Sequence, residues 1–509
     1  MTDRPLRILY VSPEVVPFSK TGGLADVAGA LPTALAQNGC DVRVLSPFYG
    51  HLLNGDFRTE RVATPPLAVT IAGCSQPFHL RTLTGGDSAV RHFFIEHAPY
   101  YSRPELYVDP RTSRDYTDND ERFALLARGL IEWIRQDRWH PDIIHLNDWQ
   151  SALVAPYLAL LYRADPVLAG VRTVLSVHNL AYQGLFPAER FDGLGFPADQ
   201  FYPTSPFEFW GKVGFLKAGL TYADKLSTVS PTYAREIQES EEFGCGLEHL
   251  LRERAEDLTG ILNGIDNGVW NPAVDGLITR TFSVDDLSGK ADNKNALCRR
   301  CGFAPQRFDR PLVGMISRIA EQKGFDLIAK AGERLFALDL NLVLLGTGDP
   351  EFHELFEKWN RRFAGQFRAF LTFDNALAHQ IEAGADLFLM PSRYEPCGLN
   401  QMYSLRYGTV PIVRATGGLA DTVRDADVHP DGNGFVFAPY DGEAMLAAVR
   451  RAVAAYGDRP RWRGMMRRGM SADFSWQASA RRYVALYDQV IAAPARRVGG
   501  STAPRGVQS

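Results

Sequence analysis

Short apolar and β-branched runs alternate with helical stretches through most of the chain, a pattern that predicts parallel sheets covered by helices on both faces. In the first half the runs are RILYVS (7–12), DVRVLS (41–46), DIIHLN (142–147), RTVLSV (172–177) and KLSTVS (225–230). Three further runs, LAVTIA, FHLRTL and VRHFFI, lie close together between residues 67 and 95 with turns between them, and they read as an antiparallel excursion. The second half holds LVGMIS (312–317), NLVLLG (341–346), RAFLTF (368–373), DLFLMP (386–391) and TVPIV (409–413), a second α/β sheet. Between the halves LNGIDNGVWNPAVDG is rich in Gly, Asn and Pro, so the expected domains are 1–262 and 263–475. A helix over 476–492 is expected to return to the first domain, and 493–509, small, polar and Gly/Pro-containing, to be a disordered tail.

Composition agrees with two α/β domains, since 509 residues with 45% hydrophobic content exceed what one core holds. A net charge of -4, from 55 basic and 59 acidic residues, leaves no broad basic field for nucleic acid or anionic lipid. An anionic ligand would need a local cluster of cations. The six cysteines are scattered except for Cys298 and Cys301, and no second pair completes a zinc set, so no metal is expected. The first strand is not preceded by a secretory pattern, and no apolar run reaches about 18 residues. The expectation is a cytoplasmic protein without a membrane anchor.

One repeat narrows the reading. TGGLAD occurs at Thr21–Asp26 and again at Thr416–Asp421, each time after a strand and at the start of a helix. Glycines there can serve a tight turn, or can bring helix N-terminal N–H groups to an anion or a sugar hydroxyl. Two copies, one per domain, favour a shared ligand. In doubly wound domains ligands bind beyond the carboxyl ends of strands. Lys20, Asp148, Trp149, His178, Arg318, Gly346, Glu395 and Thr416 all follow such strand ends.

Arg318 and Lys323 stand five apart at a strand-to-helix turn, where a planar fork and a point charge can converge on a diphosphate. The GTGD loop at 346–349 could add backbone N–H groups. It is not a dinucleotide fingerprint, because Glu351 stands where the third glycine belongs. Glu395, in SRYEPCGLNQ, is placed to accept hydrogen bonds from sugar hydroxyls or to face a developing oxocarbenium ion. Tyr101, Trp149 and Tyr182 offer apolar faces with polar rims for glucose rings.

Taken together KTGGLADV, HNLAYQG, SRIAEQKG, SRYEPCGLNQ and the second TGGL closely resemble bacterial glycogen synthases and plant starch synthases, from about residue 6 to about residue 490. The resemblance implies the GT-B fold, two Rossmann-like domains facing across a deep crevice. It also implies retaining transfer of glucose from ADP-glucose to the non-reducing end of an α-1,4-glucan, with no metal or other cofactor. Carried onto this chain, it puts Lys20, Gly22, Gly23 and Asp26 with the donor and its sugar, and His178 beside the reacting glucose. Arg318 and Lys323 fall on the diphosphate, Glu395 on the sugar ring, and Thr416 and Gly417 near the distal phosphate, while Asn263 matches a further polar position. Tyr101 falls in YSRP where the family has a YDRP-like segment, so Ser102 replaces an aspartate. The alternatives are a GT-B enzyme with another donor or a small acceptor, and a catalytically silent glucan-binding protein.

Overall fold

The computed structural model describes residues 4–53, 55, 57–62, 65–85 and 89–496. They form two compact units. The first comprises the segments up to Thr228, Glu236–Ile261 and those from Ser479 onward; the second comprises Val229–Arg235 and Leu262–Ala478.

The strands of the first unit are β1 (Arg7–Val11), β2 (Asp41–Pro47), β3 (Thr59–Arg61), β4 (Leu67–Ile71), β5 (Cys74–Leu83), β6 (Arg91–Glu96), β7 (Val108–Asp109) and β8 (Arg114–Asp115). They continue with β9 (Ile143–Asn147), β10 (Arg172–Val177), β11 (Leu185–Pro187), β12 (Glu208–Phe209), β13 (Lys212–Gly214), β14 (Lys225–Thr228) and β15 (Leu258–Gly260). The main sheet runs β15-β14-β10-β9-β1-β2-β6-β5-β3, with β4 paired to β5. From β15 to β6 every pairing is parallel, and β6–β5, β5–β4 and β5–β3 are antiparallel. The run at 90–95 thus joins the excursion to the sheet: as β6 it is itself a parallel strand beside β2. A separate small sheet, β11-β13-β12, lies outside the runs recognised in the sequence because its strands are only two or three residues long.

The second unit has one sheet of β16 (Leu312–Ile316), β17 (Asn341–Leu345), β18 (Phe367–Phe370), β19 (Leu387–Met390), β20 (Val410–Arg414) and β21 (Phe435–Phe437). Its order is β18-β17-β16-β19-β20-β21, all parallel. This is the doubly wound order whose switch point lies between the first and fourth strands, here β16 and β19; the parallel strands of the first unit repeat it with the switch between β1 and β9. Gly314 in the middle of β16 lets the helix Asn375–Gly384 lie close, since a Cβ there would come within 2.7 Å of Ile381. Cys298 and Cys301 are buried with Leu312, Phe388 and Ile381 as packing residues.

The last helix, Trp476–Ala492, is part of the first unit from Ser479 onward. Tyr487 and His145 Nδ1 lie 2.6 Å apart, and His145 Nε2 meets Ser176 Oγ at 2.6 Å in the centre of the sheet. Burial holds the His145 pKa down at about 3, so the ring is neutral. Of the tail expected at 493–509, the last described residue is tied to the first unit. Arg496 donates from its backbone N to Asp224 (2.9 Å), from Nε to the Thr221 carbonyl (2.9 Å) and from Nη1 to Asp257 (3.1 Å). Residues 497–509 lie outside the described residues. Among the described residues no helix is long and apolar enough to cross a membrane.

Candidate functional site

In the first unit the loop leaving β1 folds around a carboxylate that motif reading passed over. Glu14 is buried and accepts from Thr21 N (2.5 Å), Thr21 Oγ1 (2.8 Å), Gly22 N (3.2 Å) and the Tyr107 hydroxyl (3.0 Å). The start of the helix Gly23–Gln37 is therefore already faced by an anion of the protein's own, which satisfies N–H groups expected to await a ligand. Lys20 and Asp26 form an outward-facing pair at 2.7 Å. A Cβ on Gly22 or Gly23 would meet nothing within 4 Å.

The ends of β9 and β10 form one hydrogen-bonded unit. Asn147 Nδ2 donates to the Val11 carbonyl (2.9 Å), and Asn147 Oδ1 accepts from the Tyr10 hydroxyl (3.0 Å). Since that oxygen is an acceptor, His178 Nε2, 2.9 Å from it, carries the proton, which leaves Nδ1 as the acceptor of the ring. Asp148 Oδ1 accepts the His178 backbone N–H at 2.7 Å. Burial lowers the His178 pKa to about 4 and raises that of Asp148 to about 7; for Asp148 the backbone N–H of His178 opposes the shift and the Glu14 charge adds to it.

Several residues assigned to sugar binding on sequence turn out to be inward-facing. Tyr101 is fully buried and donates its hydroxyl to the Arg122 carbonyl at 2.6 Å. Trp149 is buried among Phe123, Phe186 and Phe215. It lies so close to Gly184 that a Cβ there would come within 2.4 Å of the indole. Both rings follow a helix or strand end in the chain, yet neighbouring elements cover them. Asp148, with φ 53°, holds the His178 loop rather than facing outward. Tyr182 is open, 56% exposed.

In the second unit Lys323 and Glu395, 72 residues apart in sequence, meet: Lys323 Nζ lies 2.6 Å from Glu395 Oε2, which also accepts from Ser392 Oγ at 3.0 Å. Glu395 is buried, its side chain 7% exposed, and Lys323 retains 20%. An ammonium has three donors, so this pairing leaves capacity for a further anion. Gly324, with φ 78°, sets the lysine's turn hard against Pro391, whose carbonyl oxygen would be 2.1 Å from any Cβ. Arg318 is exposed, with only a 3.4 Å contact from Nη2 to Gln322.

Three of the four N–H groups of the GTGD loop are already used within the protein. Gly346 N donates to the Phe370 carbonyl (3.0 Å), Gly348 N to His353 Nε2 (3.1 Å) and Asp349 N to the Ile319 carbonyl (2.8 Å). Gly346 serves close packing instead, as a Cβ would lie 2.0 Å from the Ser317 carbonyl oxygen. The β18 run also ends earlier than 373, which leaves Phe373 in the following loop, 86% exposed.

Around the second TGGLAD copy the fold is tight. Gly417 has φ 44°, its Cβ would lie 1.9 Å from the Glu395 carbonyl oxygen, and that of Gly418 would lie 2.0 Å from the Cys397 oxygen. Thr416 Oγ1, Asn263 Oδ1 and Gln401 Oε1 are buried with no hydrogen-bond partner. Gln401 Nε2 donates to the Cys397 carbonyl at 3.0 Å, and the Cys397 thiol interacts with the Asn263 backbone, so two of the three acceptors gather about one residue. Buried unpaired polar atoms are costly, so each of these acceptors is open to a donor from a ligand or water. Asn263 and Thr416 were expected from sequence; Gln401, the second residue of the helix Asn400–Arg406, ends the SRYEPCGLNQ run but was not singled out within it.

Comparison with known proteins follows the same division. The family described as "Starch synthase catalytic domain" matches residues 7–253, and "Glycosyl transferases group 1" matches 304–465. The chain is 51% identical over 490 residues to a glycogen synthase of Anaeromyxobacter sp. (strain Fw109-5), covering 96% of this chain and 100% of that one. It is 46% identical over 488 residues to a glycogen synthase of Myxococcus xanthus, covering 96% and 100%. The catalytic domain of Starch Synthase IV from Arabidopsis thaliana, solved bound to ADP and acarbose, aligns with a TM-score of 0.86 at 34% identity over 96% of this chain and 100% of that one. Sucrose-phosphate synthase from Thermosynechococcus elongatus, with a TM-score of 0.57 and 18% identity over 96% and 100%, shares the fold.

Proposed function

Because the chain belongs to the glycogen synthase family of GT-B glycosyltransferases, we propose that it transfers glucose from ADP-glucose, with retention, to the non-reducing end of an α-1,4-glucan such as glycogen. The observation that carries the reading furthest is the Lys323–Glu395 pair at the carboxyl end of the second sheet, flanked by the exposed Arg318. Cleavage of the donor builds negative charge on the departing diphosphate. Arg318 and the remaining donors of Lys323 meet that charge, and Glu395 holds the lysine in orientation before the donor arrives. Phe373, exposed in the loop after β18, offers its face to the purine.

In the first unit the neutral His178 presents Nδ1 as an acceptor for a glucose hydroxyl, with Asn147 and Asp148 fixing its tautomer and backbone. Lys20 and Asp26 serve the sugar and donor from the open side of Gly22 and Gly23. No carboxylate stands out as a nucleophile, which favours front-side attack in which the departing diphosphate accepts the acceptor's proton. The chemistry needs no metal, and a cytoplasmic location fits a nucleotide-sugar donor. The reading is tested by supplying ADP-glucose, UDP-glucose and GDP-mannose, each with glycogen and with EDTA present. The highest kcat/KM is expected with ADP-glucose. A preference for another donor, or abolition by EDTA, would refute the corresponding part.

A further inference from the structure

The small sheet β11-β13-β12 carries a feature the reaction as described does not use. Its hairpin turns through Trp210 and Gly211 between the paired residues Phe209 and Lys212, and both turn residues have left-handed φ, 53° and 76°. A two-residue turn of this kind accommodates Asn or Gly at its first position, and an indole is among the least suited side chains there. The turn is nevertheless pinned: Glu208 accepts from Gly211 N (2.6 Å) and Thr204 N (2.8 Å). The ring it holds out is 79% exposed, and only Phe373 among the exposed large hydrophobic residues is more so.

The ring is also tied to the His178 loop. Gly246, with φ 83°, leaves room for the indole edge, as a Cβ there would lie 3.3 Å from Trp210 Nε1 and 2.9 Å from Phe209. The preceding residue, Cys245, receives Gln183 Nε2 on its carbonyl at 2.9 Å. Gln183 closes the loop that starts at His178 and carries the open ring of Tyr182. Two solvent-facing aromatic rings thus stand on either side of the Gln183–Cys245 hydrogen bond, Tyr182 next to Gln183 in the chain and Trp210 packed at Gly246, with the exposed Lys212 two residues beyond the indole.

We propose that Trp210 is a binding platform for the α-glucan acceptor, stacking against a glucose ring of the chain several residues from the end that reacts. The proposal rests on the glucan-lengthening reading above. A polymer extends past its reacting end and must lie on the protein surface, where a flat apolar ring with donors at its rim matches the axial C–H face and equatorial hydroxyls of glucose.

The test uses Trp210→Gly and Trp210→Phe in the full chain, with maltoheptaose titrated calorimetrically in the absence of donor. Glycine suits the turn's φ better than tryptophan, so Trp210→Gly should keep or raise the melting temperature. Its maltoheptaose affinity should fall about tenfold, with KM for glycogen rising in parallel and KM for ADP-glucose moving much less. Trp210→Phe should recover part of the loss. Unchanged maltoheptaose affinity and unchanged KM for glycogen in Trp210→Gly would overturn the proposal, as would a change confined to self-association seen by sedimentation, which would make the ring a contact between copies. If the wild type builds no polymer from any nucleotide sugar, the functional reading fails by itself. The titration needs no turnover and still decides on Trp210.

Discussion

In the first TGGLAD copy Gly22 and Gly23 border open space, whereas in the second Gly417 and Gly418 are pressed against the carbonyls of Glu395 and Cys397. The first copy begins a helix of 15 residues and is held by a side chain, the Glu14 carboxylate; the second begins one of 6 and is held by backbone, with Gly418 N donating to the Glu395 and Pro396 carbonyls. Their aspartates diverge as well. Asp26 pairs with Lys20 in the open, while Asp421 accepts from Thr232 N (3.0 Å) and Oγ1 (2.7 Å). Identical letters at equivalent places thus answer to different physics. The fold itself demands the second pair of glycines, whereas around the first pair it leaves room for a side chain.

The largest effect expected from this contrast is on stability. Gly418→Ala should cost more than about 4 kcal/mol, because the obstructing atoms are backbone and cannot rotate away. Urea unfolding measures it, and a loss under about 1 kcal/mol would mean the loop around Cys397 yields easily. Next comes chemistry on the same side. Lys323→Ala should lower kcat by roughly a hundred- to a thousandfold, about 3–4 kcal/mol of transition-state stabilisation, with donor KM changed much less. Steady-state kinetics on folded protein decides, and a kcat within about threefold of wild type would remove Lys323 from the diphosphate.

In the first copy, Glu14→Gln should cost about 1.5–3 kcal/mol, since one charged acceptor of several donors is exchanged for an amide that can accept on one oxygen only. It should also lower the Asp148 pKa, to which the Glu14 charge contributes. The sign matters here. Asp148 titrates near 7 in the fold against about 3.9 unfolded, so its contribution falls as pH rises across that window. His178 titrates near 4 against about 6.5, so its contribution falls as pH drops through it. Over the shared range the two oppose each other. Asp148→Asn, which keeps the acceptor oxygen and tolerates the positive φ, should remove the opposing carboxyl, so that stability is lost from pH 6.5 down to 4 more steeply than in wild type. Denaturant midpoints across that range would contradict the assignment if both proteins showed the same slope. The smallest stability change is expected from Gly22→Ala, under about 0.5 kcal/mol. Its kcat/KM should still fall if substrate uses the open side, and a variant of wild-type activity would leave that glycine without a reason.

Much of the architecture was legible because parallel strands covered on both faces read as continuous apolar runs, as at 312–316 and 341–345. What escaped were elements too short to show a period, such as β15 and the β11–β13 sheet. At the site, residues at strand ends were easy to collect, but which way each side chain turns depends on what covers it. Trp149 and Tyr101 carry the same chemistry as Tyr182, and only the third faces water. Glu14 left no trace in the sequence, because a loop acid eight residues before a glycine pair resembles any other. The meeting of Lys323 with Glu395 likewise depends on β16 and β19 being neighbours, which a linear reading does not supply.

The contact of Tyr487 with His145 carries a consequence for the order in which this protein is made. The central strand β9 leaves the ribosome long before most of the second unit, yet the Tyr487 partner of its buried imidazole is translated after the whole of that unit. The second unit, contiguous from Leu262 to Ala478 apart from one short segment already synthesised, has all of its sequence available while the first still lacks its closing helix. Translation therefore reverses the usual N-terminal-first sequence: the unit begun first is the one finished last, and a nascent chain stalled before Ser479 leaves the Nδ1 of a histidine at the sheet's centre without its partner.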